Sequence, residues 1–131
     1  MTRNVRFYHV IGQLLKDDFK FKVDIWRLLI ETNRYYEIKH TEGTVKRIYK
    51  EKINTIYNDT HHYSNGFLSC SAFCMEDQIH KVQMGIIQNL KHQVDNYMND
   101  LLLNKKEIEK KYLISQDGTF KESNIIIHTE L

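Results

Sequence analysis

The sequence predicts an all-α fold: a small helical bundle of four or five helices around a long central helix, with a short β-prone C-terminal segment. Three observations predict it. Residues 75–102 carry Met75, Ile79, Val82, Ile86, Ile87, Leu90, Val94, Tyr97, Met98 and Leu101 on one side of a helix. No proline occurs in 131 residues, so nothing obliges a helix to stop. Three earlier segments also place apolar side chains three and four residues apart.

The first helix is expected over residues 4–16, where Phe7, Val10, Ile11, Leu14 and Leu15 share a stripe and Thr2 or Asn4 could cap. A strand through residues 5–11 competes with it. Asp17-Asp18 interrupts, and Phe19, Phe21 and Val23 alternate with lysines as an extended piece would. Asp24 is the N-cap of a second helix over residues 25–39, with Trp26, Leu29, Ile30 and Tyr36 inward. After Thr41-Glu42-Gly43, a third helix over residues 44–58 uses Val45, Ile48, Tyr49, Ile53 and Ile56.

Residues 59–66 are the clearest loop, with Ser64-Asn65-Gly66 as its turn signal. Residues 67–74 are apolar without a period and fit a strand, a short helix or a buried linker. The long helix follows. Its apolar arc, about 160° wide, exceeds a coiled-coil seam and implies two neighbours. Residues 112–131 are a hairpin or a tail, with a turn at Asp117-Gly118 and a β-prone Ile125-Ile126-Ile127. An α+β fold is the alternative, should residues 5–11 or 67–73 prove to be strands.

The length fits one domain, residues 1–131, and 41% hydrophobic content argues for a packed core. No apolar run is long enough to span a membrane and the N-terminus has no signal-peptide pattern, so a cytoplasmic, non-membrane protein is expected. Two cysteines fit a reducing compartment. Abundant Ile, Lys, Asn and Tyr with scarce Gly suggest AT-rich coding, as in a viral or mobile-element protein. A net charge of +2 neither demands nor excludes nucleic acid.

His61, His62, Cys70, Cys74 and His80 are the one metal-like set, and thiolates with imidazoles suit zinc. Their spacing matches no standard finger. The favoured reading makes the cysteines small buried hydrophobes and His61-His62 loop residues, with no cofactor. A cysteine nucleophile at the same place would have Glu76 and Asp77 beside it, which oppose a thiolate. No phosphate-cradling glycine loop and no standard hydrolase or metalloprotease motif occurs, so no catalytic residue is assigned and enzyme activity stays open.

Lys46, Arg47 and Lys50 form the densest basic run and could touch phosphates from one helix face. Interleaved glutamates dilute it. Tyrosine tolerates burial with one wet end, so Tyr49, Tyr57 and Tyr97, with Ile87 and Met98 of the apolar arc, are candidate interface residues. The function expected is therefore a non-enzymatic protein-interaction or regulatory protein. It would bind another protein or itself, as a homodimer, through a helical surface. A small nucleic-acid-binding protein with a basic helix face is the alternative.

Overall fold

Strands, not helices, build the first half of the chain. The computed structural model describes residues 4–114. It falls into two compact units, residues 1–93 and 94–131, and each is described by itself. The first unit holds a six-stranded antiparallel sheet curved into a half-barrel. Its strands are β1 (Arg6–Leu15), β2 (Asp18–Glu31), β3 (Tyr35–His40), β4 (Val45–Tyr49), β5 (Tyr57–Asn58) and β6 (Leu68–Cys74), in the spatial order β4-β3-β2-β1-β6-β5. Short 3-10 turns occupy Lys50–Lys52 and Glu76–Gln78, and one helix, α1 (Ile79–Ile114), ends the described chain. The all-α helical bundle is thus corrected to a mixed fold: the strands expected as alternatives at residues 5–11 and 67–73 are present, and among the described residues the only long helix is the last element.

Each misread segment has a physical reason. β1 is central, paired with β2 from Arg6↔Arg27 to Leu15↔Asp18 and with β6 from Tyr8↔Cys74 to Leu14↔Leu68. It is covered on both faces, so Phe7, Tyr8 and Val10 are all buried and the two-residue alternation is lost. In β2 the pairing with β3 shifts between Leu28 and Ile30. A bulge inserts one residue and reverses the inside-outside phase, so Trp26, Leu29 and Ile30 acquire helix-like spacing without a helix. β4 runs directly into the Lys50–Lys52 turn, which lends Val45, Ile48, Ile53 and Ile56 their false stripe. The β1–β2 turn at Lys16-Asp17 uses neither glycine nor a positive φ, so only the Asp17-Asp18 interruption marked it.

The register sorts the side chains onto two faces. Tyr8, Val10, Gly12 and Leu14 of β1 lie beside Cys74, Ala72, Cys70 and Leu68 of β6. The first turns of α1 cover this face with the buried Val82, Ile86 and Leu90. Each such side chain contributes roughly 1.5–3 kcal/mol by leaving water. Gly12 makes the close approach possible, because a Cβ there would collide with Ile86 Cγ2. Gln93 Nε2 donates to Asn58 Oδ1 at 2.9 Å and ties α1 to β5. The opposite face holds a second core of Phe7, Trp26, Ile38 and Ile48, with Tyr36, Ile53 and Phe73 packed around it. Gly66 closes the loop before β6 at φ +78°, where a Cβ would stand 2.7 Å from Lys16 Cα.

The long helix expected over residues 75–102 is present. It begins after the 3-10 turn and runs on to Ile114. Tyr112-Leu113-Ile114, expected to open a hairpin, are its last residues. The hairpin turn at Asp117-Gly118 and the Ile125-Ile126-Ile127 segment lie outside the described residues. No helix among the described residues is long and apolar enough to cross a membrane.

Candidate functional site

Two places concentrate chemistry that the fold does not consume. The first is the second unit's share of α1, from Val94 onward. An α-helix needs an apolar face buried against something to be stable. Here Met98, Leu101, Leu102, Leu103, Ile108 and Leu113 are all exposed, Leu101 at 64% and Ile108 at 70%. Val94, Met98, Leu101, Lys105, Ile108 and Tyr112 follow one another at alternating steps of four and three residues, the spacing of a coiled-coil seam. The wide arc read from the sequence therefore resolves into two stripes. One, Val82, Ile86 and Leu90, is spent on the sheet of the first unit. The other continues through residues 94–112 with a single charge, Lys105, in its line.

The second place is a groove on the sheet face opposite α1, about 350 Å³ in volume. It is bounded by β4 and the turn after it on one side, and by β1, β5 and β6 on the other. His9 stacks flat on its cross-strand partner Phe73, with ring centroids 4.1 Å apart. Lys46 holds its ammonium 5.3 Å from the centroid of the same ring and makes no ion pair among the described residues. Asp59 is pinned by two hydroxyls: Ser71 Oγ donates to Oδ1 at 3.1 Å and Ser69 Oγ to Oδ2 at 3.3 Å. Those two serines are buried. Lys52 and Tyr57 stand at the rim.

Burial pushes the His9 imidazole below its usual value. Asp59 pulls the other way, Lys46 adds to the fall, and Asp24 and Lys22 make smaller opposed contributions. Serine, histidine and aspartate meet here, but not as a nucleophile with its base. The Ser71 hydroxyl donates to the carboxylate, and the imidazole is spent on Phe73. The arrangement is suited to holding a ligand.

The basic run is not a helix face. Lys46 and Arg47 are neighbours on β4 and point to opposite sides of the sheet. Arg47 lies 4.1 Å over the Tyr35 ring, and Lys50 is 2.7 Å from Glu31 and over Tyr36. Of these three, Lys46 and Arg47 line the groove, Lys46 with its ammonium over the Phe73 ring.

The structure does not assemble the metal-like set. Among the described residues no group of three or more His, Cys, Asp or Glu side chains converges as metal ligands would. Cys70 and Cys74 are fully buried on the α1-facing side of β6, with Cys70 Sγ 3.8 Å from the Ile86 carbonyl. His61, His62 and His80 are exposed. Burial, with Asp59 and Asp77 adding to it, pushes the thiols up to about 12 and about 11. Neither is a thiolate at neutral pH.

Of the tyrosine and helix residues expected at an interface, Tyr49, Tyr57 and Met98 are exposed, while Ile87 and Tyr97 are half-buried. The groove itself escaped the sequence reading. Its residues come from four separate strands and the loop after β5, and the one local signal was Ser69-x-Ser71 alternating with the buried Leu68, Cys70, Ala72 and Cys74. Compared with known families, curated proteins and solved structures, the chain matches none.

Proposed function

We propose that this is a non-enzymatic protein-interaction protein that self-associates through the C-terminal part of α1. The observation that carries the reading is the exposed stripe of Met98, Leu101 and Ile108 at coiled-coil spacing. Most helical stability in proteins comes from packing an apolar face, so a second helix on that stripe supplies the missing burial.

A second copy of the chain fits, and the position of Lys105 selects its direction. In a parallel, in-register pair Lys105 faces Lys105, and two like charges meet inside the seam. In an antiparallel pair the two kinds of seam position alternate across the interface. Centring on residue 103 sets Met98 against Ile108 and Leu101 against Lys105. The lysine stem then lies along leucine and its ammonium reaches water. The pair is isologous, as most homodimers are.

The test is sedimentation equilibrium of the full chain beside Leu101→Glu and Ile108→Glu. The expected result is a dimer that both substitutions convert to monomer, with the strand signal in circular dichroism unchanged. A wild-type chain that stays monomeric at several hundred micromolar removes the reading.

A further inference from the structure

Independently of the helix, we propose that the groove lined by His9, Lys46, Asp59 and Phe73 binds a nucleoside phosphate, with guanine preferred. The two walls differ in charge. Lys46 on β4 and Lys52 in the turn after it supply cations, and Lys46 has no carboxylate partner among the described residues to neutralise it. Across the groove, Asp59 offers a carboxylate held by two buried serine hydroxyls, an anchor that does not have to be ordered on binding. A ligand that satisfies both walls carries a negative group at one end and hydrogen-bond donors at the other.

Between the walls stand two aromatic rings: Phe73 is already covered by the His9 imidazole, so Tyr57, 44% exposed, is the ring left to a ligand. A flat heterocycle stacks on such a ring. A volume of about 350 Å³ is at the small end of ligand pockets and suits one nucleotide unit. Among the bases, guanine alone presents two adjacent donors, its ring N–H and its amino group, to a single carboxylate. Each Asp59 oxygen accepts one serine hydrogen bond and retains a lone pair for the ligand. The phosphate then lies toward Lys46 and Lys52. The same chemistry is offered by a free nucleotide and by a guanine within a single strand.

Isothermal titration of the full-length protein with GMP, AMP, inorganic phosphate and a short guanine-containing oligonucleotide tests this. GMP or the oligonucleotide is expected to bind, and which is tighter distinguishes the free from the polymeric source. AMP and phosphate are expected to be at least about tenfold weaker than GMP. Asp59→Asn should weaken GMP by about tenfold or more and leave phosphate unchanged, whereas Lys46→Gln should weaken both. Both sites are exposed, and far-ultraviolet circular dichroism confirms that each variant is folded. The proposal is overturned if neither GMP nor the oligonucleotide binds, if AMP or phosphate matches GMP, or if folded Asp59→Asn binds GMP like wild type.

Discussion

Gly12 and Ile86 mark a close approach of the sheet and the first turns of α1, and a double-substitution cycle measures that fit. Gly12→Ala puts a methyl group where Ile86 Cγ2 already is. That atom branches directly from Cβ, so no distant torsion can swing it clear, and the helix or strand must move. Overpacking of this kind costs about 1–3 kcal/mol. Ile86→Ala removes a fully buried side chain and costs about 2–5 kcal/mol, transfer and cavity together. In the double variant the new methyl lies partly in the space the isoleucine left, so the two costs should overlap. The double variant is expected to be more stable than the sum of the singles by about 1–3 kcal/mol. Ile86→Val is the control: it keeps both methyl positions on Cβ and should not rescue Gly12→Ala. Urea unfolding followed by far-ultraviolet circular dichroism reads the stability of wild type and every variant. Strict additivity, or equal rescue by Ile86→Val, would refute the placement of α1 on β1.

Two further outcomes follow from buried titratable groups. The folded-state value of His9 lies below its unfolded value of about 6.5, so protons bind the unfolded chain more readily. Its contribution is present above pH 6.5 and is lost as the pH falls below it, with a slope of at most about 1.4 kcal/mol per pH unit. Asp59 and Asp24 temper that slope, while Lys46 and Lys22 sharpen it. His9→Gln should flatten the stability profile just below pH 6.5, and an unchanged profile would contradict the burial assigned to His9. With thiols raised to about 12 and about 11, Cys70 and Cys74 should alkylate with iodoacetamide at pH 8 at least about a hundredfold more slowly in the native protein than in urea. Fast native alkylation of either would show that β6 is not covered.

What could be read from the chain divides along physical lines. α1 was legible because a long helix repeats its period often enough to outvote exceptions, and its wide apolar arc already held both stripes. The strands were not legible, because double-sided burial erased alternation in β1 and the bulge in β2 reversed it halfway. Cys70 and Cys74 lie with Leu68 and Ala72 on one face of β6, a period of two that the surrounding apolar residues hid. The groove needs His9, Lys46, Asp59 and Ser71 together. Strand pairing between residues as far apart as Tyr8 and Cys74 creates that juxtaposition, and no local spacing encodes it.

The central claim is that a second copy lies antiparallel along residues 94–112, and engineered disulfides test it most directly. Leu101→Cys and Lys105→Cys are prepared separately, with the native thiols left in place because they are buried. Each variant is oxidised alone and then mixed with the other. Covalent dimer in the mixture, with little from either variant alone, is the predicted result, since residue 101 of one copy faces residue 105 of the other. Efficient self-crosslinking of Leu101→Cys alone would mean a parallel seam, and no crosslinking in any combination would mean that the stripe is not a self-association surface.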